Sequence, residues 1–553
     1  MRQNKKYIPQ LILLLIVSSM QLLQAQQVYI RLNQVGFLPG DLKTAVIMSG
    51  QKLTGKKYHV FETKDNMQVF SGQINGSLKA ETNFKYNYRI DFSELKNGGR
   101  YYLEVEGSKS LSFLIGTNIY NRVVDSLMLF FKVQRCGYTN PLLHPVCHPN
   151  DATGITADGK FEAGPTDLTG GWHDAGDYIK FLNTAVYATY TMLFAYDFDP
   201  VKFGYDNDNN GTPDILEEAK TGLDWLIRLN YANNKLVTQV QDMRDHNQGW
   251  RKPELDKLSS DRPAYSGMGK NIIGIYSATL ALAGKIWKEK LHYNDFANKC
   301  LSRAKSFYAV RNNVPDIDKS QSGMYQDSRY FGKLALGAIE LYNVTNQKEY
   351  LSDAIELADK AKSDFWWSWG DINSYVHYRL AKVEPRFQNY IYENLKVFNK
   401  SKNKLIFGEV AEDSWGLTNA LLGASLQAIL YKKLTGDPLF DSLAVFQRDY
   451  VLGKNQWGVS FIYNIGTVFS RNFHSQLAYF NGGYLPGAVA AGPVSRKKLE
   501  SYKIKTEGTD RFMQFQTEKA VYQDDRNDFI TNEPTISANA TAVFVMGYFS
   551  DRN

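Results

Sequence analysis

The first part of the chain has the two-residue period of β-strands. Between Tyr86 and Phe92, apolar side chains alternate strictly with polar ones, as a strand with one buried face requires. Gly98 and Gly99 then turn the chain into a further apolar run. Several short runs of this kind, separated by Gly, Asn and Asp, predict a small β-sandwich over residues 28–116. We interpret the sandwich as a packing module, because its sequence resembles no catalytic cluster.

From residue 117 onward the apolar period is that of helices. About a dozen amphipathic segments separated by loops suggest paired helices in an α/α toroid, whose long loops at one end build a site. The predicted helices begin near Asn118, Phe181, Pro213, Asn271, Asn294, Tyr330, Glu349, Pro385, Trp415, Leu439 and Ala538. Beyond Asn455 the chain becomes rich in loops, and a long loop region inside a helical domain is more often functional than accidental.

The N-terminus has the pattern of a signal peptide, which we place at residues 1–25. Lys5 and Lys6 precede the apolar run 11–17, and Ala25 lies in a suitable cleavage region. This run is shorter than the ~20 apolar residues of a membrane span, and a retained anchor is the alternative. We therefore expect an exported protein, periplasmic or secreted, that is free of the membrane once the signal is removed.

Length and composition narrow the function classes. The chain of 553 residues suggests more than one domain, and we divide its mature part into a sandwich at 26–116 and a helical domain at 117–553. The net charge of +7 is dispersed without a basic block, which argues against nucleic-acid binding. Three cysteines argue against a disulfide framework. The aromatic fraction of 14% suggests ring surfaces for a ligand.

Two carboxylates lie three residues apart near the start of the helical region. Gly176 stands between Asp174 and Asp177 and permits a tight turn that aims both acids at one spot. Trp172 offers a flat ring on which a sugar can stack. Carboxylates that hold a water beside a stacking surface are typical of the base of a glycosidase. The alternative is that one aspartate merely caps the helix that follows.

Four possible soft-metal ligands fall within one window of the chain. A cysteine, a Cys-His pair and a more distant histidine could form the tetrahedral set of a structural zinc site: Cys136, Cys147, His148 and His173. The spacing is not that of a zinc finger, so two buried free cysteines and two ordinary histidines are the alternative. Zinc here would pin the turn that carries Asp174 to the loop after the first helix.

The segment 206–217 matches a calcium loop of the EF-hand type. Oxygen ligands stand at loop positions one, three, five and nine, with glycine at six and glutamate at twelve, so the predicted ligands are Asp206, Asp208, Asn210, Asp214 and Glu217. Pro213 departs from the pattern, because it starts the helix early and can keep the glutamate from the ion. A capped acidic turn is the alternative.

Further candidate chemistry lies in the second half of the chain. Glu533 precedes the last helix among polar residues and could be the partner acid of Asp177, although a solvated loop glutamate is the alternative. His474 lies in a Tyr- and Gly-rich stretch, where a lone histidine is more often structural than catalytic. Trp415 and the tryptophans of segment 366–369 are either stacking platforms or helix packing.

Taken together, these residues resemble glycoside hydrolase family 9, the cellulase family with an N-terminal immunoglobulin-like domain. The likeness covers nearly the whole mature chain. Matching segments occur in the family's order at 28–39, 171–177, 450–455, 485–488 and 532–533. Several independent motifs in one order argue against a chance agreement.

The resemblance implies an N-terminal immunoglobulin-like β-sandwich, an (α/α)6 barrel and hydrolysis with inversion. By this resemblance Asp177 is the general base, Asp174 helps to position the attacking water, and Glu533 is the general acid with a raised pKa. Inversion needs the acid and the base roughly 6.5–9.5 Å apart. Substrate contacts are expected from Trp172, Trp415, His474 and Tyr484. Sandwich-bearing members also carry zinc and calcium, which favours the two ion sites described above.

Two segments depart from the family pattern. Cellulases of this kind usually have two histidines and an arginine where this chain has His474, Ser475 and Gln476, and an asparagine where it has Val494. Without the hydrogen-bond donors of the second histidine and the arginine, binding of the sugar hydroxyls would be weaker. We expect an inverting hydrolase of β-1,4-glucan chains. The alternatives are an exo-acting hydrolase of short oligosaccharides, with amino sugars or branched glucans, and a non-catalytic carbohydrate-binding protein.

Overall fold

The computed structural model describes residues 27–321, 325 and 327–552. The predicted signal peptide at residues 1–25 lies outside the described residues. Strands occupy the N-terminal part and helices dominate the remainder, in the order that the sequence predicts. Within the described ranges, each helix is too short or too polar to cross a membrane.

The N-terminal strands form two packed sheets. One sheet has the order β1-β3-β6 and the other β2-β9-β7-β4-β5, with β8 beside β7. Their apolar inner faces form a separate core. The predicted strand that begins at Tyr86 is confirmed by β6. The bounds are β1 (Val28–Arg31), β2 (Gly36–Phe37), β3 (Thr44–Ser49), β4 (Lys57–Glu62), β5 (Gln68–Gln73), β6 (Tyr86–Asp91), β7 (Gly99–Val105), β8 (Ser108–Lys109) and β9 (Phe113–Ile115).

The polar face of the sandwich is attached to the helical domain by side-chain hydrogen bonds. On β6, the Arg89 guanidinium donates to the carbonyl of Ile406 at 2.8 Å. After β1, the Asn33 amide donates to Asp449 at 2.8 Å, and both side chains are buried. The polar side chains of Arg89 and Asn33 therefore serve the interface between the domains rather than solvent.

The helical domain is an (α/α)6 barrel. Its inner helices form a closed ring in which each contacts the next, and the outer helices pack around them. The inner helices are α2 (Leu182–Phe198), α6 (Lys270–Glu289), α8 (Phe331–Thr345), α10 (Asn373–Ala381), α12 (Leu417–Thr435) and α17 (Ile536–Phe549). The outer helices are α1 (Asn121–Gln134), α4 (Asp214–Arg228), α7 (Asn294–Ala309), α9 (Lys348–Ala361), α11 (Gln388–Lys404) and α13 (Asp441–Val451). The inner helices other than α10 are apolar around most of their circumference because they are covered on every side.

Short elements between the barrel helices build the end that carries the site. The short helices at this end are α5 (Arg244–Asn247), α14 (Gln476–Phe480), α15 (Arg496–Ser501) and α16 (Phe529–Asn532). Another short helix, α3 (Pro200–Phe203), lies at the opposite end, where Phe203 packs on Phe544. A sheet that was not predicted has the order β11-β10-β14-β13-β12. Its strands are β10 (Gly154–Ala157), β11 (Lys160–Ala163), β12 (Lys180–Phe181), β13 (Leu236–Val240) and β14 (Pro263–Gly267). Because β12 pairs with β13, the turn before β12 and the segment after β13, which contains α5, lie next to each other.

Candidate active site

A compact turn before β12 carries the two predicted aspartates. The amide of Asp174 donates to the carbonyl of Ile179 at 3.0 Å, and the amide of Ile179 donates to Asp177 Oδ1 at 2.8 Å. A Cβ atom on Gly176 would lie 2.1 Å from the carbonyl oxygen of His474. Only glycine, which has no side chain, fits at this position between the two acids.

The third carboxylate reaches the same turn from the end of the chain. Glu533 lies between α16 and α17, and its Oε1 accepts a hydrogen bond from the amide of Gly176 at 3.1 Å. The first residue of α17, Ile536, donates its amide to the carbonyl of Asp174 at 3.0 Å. The structure therefore brings together the segments predicted to hold the base and the acid.

These acids open into one cavity with aromatic walls. Its volume is about 300 Å³. Trp415, predicted as a stacking platform, lines the cavity and is 37% exposed. The other rings in its wall belong to Phe181, Tyr325, Trp366, Trp367 and Trp369. Acids beside an exposed ring such as that of Trp415 suit sugar cleavage, because the ring can stack on a sugar while the acids transfer protons.

Burial and like charges set the proton positions in this cavity. Burial raises the pKa of Glu533 to about 8. The pKa of Asp177 is also raised, by burial first and then by the charges of Asp245 and Glu533. Asp177 has two contacts suited to its charged form, the amide of Ile179 and His246 Nε2 at 3.2 Å. Glu533 accepts from one backbone donor, the amide of Gly176. When the two acids hold one proton between them, we therefore assign this proton to Glu533 and the negative charge to Asp177.

Sequence reasoning missed two side chains of this cavity, His246 and Tyr325. His246 lies on the short helix α5 and contacts Asp177, and Tyr325 lies beside Asp174. Burial and then the charges of Asp174 and Glu533 raise the pKa of Tyr325 well above its ordinary value. A lone histidine and a lone tyrosine have no spacing signal, and only the pairing of β12 with β13 brings His246 to the turn.

The prediction that Trp172 forms a stacking surface is wrong. Its ring is 1% exposed, and its Nε1–H donates to Glu218 at 2.8 Å. A Cβ atom on Gly222 of α4 would lie 2.4 Å from the ring, so this helix leaves room for the indole. Trp172 is therefore a core residue that packs behind the turn.

The other predicted sugar contacts, His474 and Tyr484, lie outside the set of described residues that lines the cavity. The imidazole Nδ1 of His474 lies 2.7 Å from the carbonyl of Arg526, and its ring packs against Trp250. Tyr484 is 42% exposed and makes an edge contact with Tyr463. His474 contributes its backbone to the turn, and a sugar contact by either side chain stays a prediction.

The four predicted zinc ligands form one buried cluster. The two sulfur atoms, of Cys136 and Cys147, are 3.8 Å apart, and His148 Nδ1 lies 3.3 Å from His173 Nε2. The sulfur–nitrogen separations are 3.6 and 3.8 Å. A tetrahedral zinc ion with bonds of about 2.3 Å to sulfur and 2.0–2.1 Å to nitrogen needs ligand separations close to these. His148 Nε2 lies 3.1 Å from Asp256, the kind of support that metal-bound histidines usually have.

The predicted calcium loop is an exposed acidic turn that runs into α4. Carboxylate oxygens of Asp206, Asp208 and Asp214 lie within 4.8 Å of one another. Glu217 accepts a hydrogen bond from the side chain of Asn210. The last predicted ligand therefore reaches the loop, although the helix starts early, at Asp214.

Comparisons with known proteins agree with this architecture. Residues 120–546 match the family model of "Glycosyl hydrolase family 9", and residues 25–110 match that of the "Cellulase N-terminal ig-like domain". The chain is 24% identical to endoglucanase D of Acetivibrio thermocellus, over 95% of this chain and 84% of that protein. It is also 24% identical to a xyloglucan-specific endo-β-1,4-glucanase of Bacteroides ovatus, over 93% of this chain and 92% of that protein.

Solved structures show the same fold. A metagenome-derived glycoside hydrolase family 9 endoglucanase superposes with a TM-score of 0.81 at 26% identity, covering 95% of this chain and 99% of that one. A Zn-binding triple mutant of a family 9 endoglucanase also has a TM-score of 0.81, at 22% identity, covering 93% of this chain and 100% of the other.

Proposed function

This chain belongs to glycosyl hydrolase family 9, and from that premise we propose that it hydrolyses β-1,4 linkages of glucan chains with inversion. One observation carries the proposal. Asp174, Asp177 and Glu533, from two distant segments, meet at one aromatic-walled cavity. The relatives named as endoglucanases support β-1,4-glucan as the substrate class.

The charge distribution supports the following roles. Asp177 is the base that takes a proton from the attacking water, and Asp174, on the same turn, offers a second acceptor that orients this water. Glu533 keeps its proton up to a pH of about 8 and delivers it to the departing glycosidic oxygen. His246 holds the Asp177 carboxylate from the other side. Each proton transfer thus has a side chain of suitable charge beside it.

The size of the cavity favours a second candidate. A volume of about 300 Å³ is at the lower end of the range of ligand pockets, roughly 300–1,000 Å³. It suits a few sugar units rather than a long chain segment. An exo-acting hydrolase of short β-linked oligosaccharides is therefore the alternative, and it uses the same acids.

We also propose that the cluster of Cys136, Cys147, His148 and His173 holds structural zinc. The ligand separations of the cluster and the Zn-binding family 9 endoglucanase support this proposal. Such an ion supplies structural cross-linking of the turn and the loop after α1.

We propose in addition that the loop at 206–217 holds calcium, supported by its carboxylate set. Export through an N-terminal signal peptide remains our proposal for localisation, supported by Lys5, Lys6 and the apolar run that follows them.

The test of the proposed function is sugar release with product sizing. Wild type, Asp177→Asn and a control, Asp224→Asn, are incubated with soluble cellulose, mixed-linkage glucan, xyloglucan, glucomannan and chitosan oligosaccharides. Asp224 is a suitable control because it is an exposed aspartate paired with Lys220. The anomer first released is read by proton NMR.

Intermediate-length products with the α-anomer first, lost in Asp177→Asn only, support an inverting endo-acting glucanase. Release of only single sugars or disaccharides supports the exo-acting candidate. Binding without any cleavage across the panel would refute the hydrolase proposal and favour a carbohydrate-binding protein.

A further inference from the structure

A buried series of charged side chains joins the metal-ligand cluster to the turn at residues 174–177, which we call the catalytic turn. It runs from His148 through Asp256 and Arg251 to Asp245. We propose that Arg251 and Asp245 are positioning residues that hold the base, Asp177, and couple its place to the metal cluster. This inference rests on the proposed function, since it concerns the same base.

At the metal end, the series begins on a ligand. Asp256 Oδ2 contacts His148 Nε2 at 3.1 Å, and Asp256 Oδ1 accepts from Arg251 Nε at 2.5 Å. Arg262 Nη1 also donates to Asp256 Oδ2, at 3.4 Å. Arg251 is 7% exposed, so its charge is retained in the interior only with its carboxylate partners.

At the catalytic end, the carboxylate of Asp245 connects the two residues next to the base, Tyr178 and His246. Arg251 Nη2 donates to Asp245 Oδ1 at 2.5 Å, and Asp245 Oδ2 accepts from the amide of Tyr178 at 3.1 Å. Tyr178 follows Asp177 in the chain, and His246, which contacts Asp177, follows Asp245. The Asp245 carboxylate thus clamps the backbone next to the base against the helix that carries its histidine partner.

The backbone of Arg251 is anchored to the same turn. Its amide donates to Gln476 Oε1 at 3.0 Å, and the amide of Gln476 donates to the carbonyl of Gly176 at 2.9 Å. The hydroxyl of Tyr178 donates to the carbonyl of Arg251 at 2.5 Å. Both the guanidinium and the main chain of Arg251 are therefore tied to residues beside Asp177.

The charges around the base make the inference testable through pH. The groups that face Asp177 are Asp174, Asp245, Glu533, His246 and Tyr325. The charge of Asp245 is compensated by Arg251 and raises the pKa of Asp177 less than a bare carboxylate would. Neutralising Asp245 should move the acid limb of the rate profile to lower pH, whereas a change at Arg251 that keeps its charge should leave the limb in place.

The experiment compares Arg251→Lys and Asp245→Asn with a control, Arg244→Lys, in the zinc-loaded full chain. Arg244 also bonds two aspartates, Asp242 and Asp261, but it is 44% exposed and takes no part in the buried series. Lysine at 251 keeps the charge, so neither buried carboxylate is left without a cation, and a thermal melt checks the fold of each variant. The readouts are kcat and KM separately, the acid limb of kcat, and zinc release to a chromogenic chelator.

We expect Arg251→Lys to lower kcat by about 10–100-fold, with KM nearly unchanged, the acid limb in place and faster zinc release. Asp245→Asn should lower kcat and shift the acid limb to lower pH. The inference is overturned if both folded variants match the control in kcat, in KM, in the acid limb of kcat and in zinc release. If wild type itself releases no sugar, the proposed function fails, while unchanged zinc release in Arg251→Lys would separately overturn the coupling to the cluster.

Discussion

Replacement of Glu533 by glutamine should raise the stability of the protein at alkaline pH while it removes activity. Burial raises the pKa of Glu533 from its ordinary value of 4.5 to about 8. The folded state therefore holds this proton to a higher pH than the unfolded chain does, so the free energy of unfolding falls as pH rises between these values. A glutamine cannot ionise, and its Oε1 still accepts the hydrogen bond that Gly176 donates.

The magnitude follows from the same two values. The difference between 4.5 and about 8 corresponds to an upper limit of about 5 kcal/mol, reached above the folded pKa. Urea unfolding of wild type and Glu533→Gln near pH 4 and near pH 9 measures this difference. We expect equal free energies of unfolding at the acid pH and a more stable variant at the alkaline one. Glu518→Gln, at an exposed glutamate, is the control.

Kinetics complete the test of Glu533 as the acid. Loss of a general acid should lower the rate on polysaccharide by about 10²–10⁴-fold. An aryl glycoside with a good leaving group needs no proton, so its hydrolysis should fall far less. The wild-type alkaline limb, near a pH of about 8, should be absent from the variant. Equal losses on both substrates, or no gain in stability at alkaline pH, would refute the assignment of the proton to Glu533.

Three further predictions test the base, the metal cluster and the tryptophans. Asp177→Asn should lower kcat by about 10²–10⁴-fold on polysaccharide and activated aryl glycoside alike, and a loss confined to polysaccharide would contradict its role as base. Chelation of zinc, or Cys136→Ser, should lower the Tm because the cluster cross-links the turn; an unchanged Tm, or no zinc in elemental analysis, would contradict this. Trp172→Phe should lower the free energy of unfolding in urea by about 1–2 kcal/mol, because a buried hydrogen bond is lost, and should leave KM unchanged. Trp415→Ala should instead raise KM. The opposite pattern would refute our placement of the two rings.

The helices that could be predicted are those whose apolar positions recur with a helical period. The start predicted near Asn294 agrees with α7, and that near Asn271 lies one residue from the start of α6. Helix α10 was missed although it belongs to the inner ring. Its buried face includes Ser374, His377 and Arg379, and these polar residues interrupt the apolar period. Periodicity identifies helices that are buried by apolar side chains, and α10 is buried partly through polar ones.

The sheet of β10 to β14 was missed for a different reason. Its strands have between two and five residues. Only β10 and β11 pair locally, through the turn at Asp158 and Gly159, while the other pairings join segments that are far apart in the chain, so no local pattern marks the sheet as a whole. The catalytic turn was predictable because the spacing of Asp174 and Asp177 with glycine between them is itself a local signal. The contribution of His246 depends on long-range strand pairing and could not be predicted.

The departure from the family at Ser475 and Gln476 concerns the scaffold more than the cavity. Ser475 caps α14 by accepting the amide of Ala478, and Gln476 accepts the amide of Arg251, so both side chains are buried in hydrogen bonds of the frame. The sequence comparison alone predicts that the lost donors weaken sugar binding directly. In this structure Gln476 instead links the amide of Arg251 to the carbonyl of Gly176, on the turn that carries Asp177. We therefore expect the walls of the cavity, to which Trp415 belongs together with the acids, to contribute to discrimination among glucans.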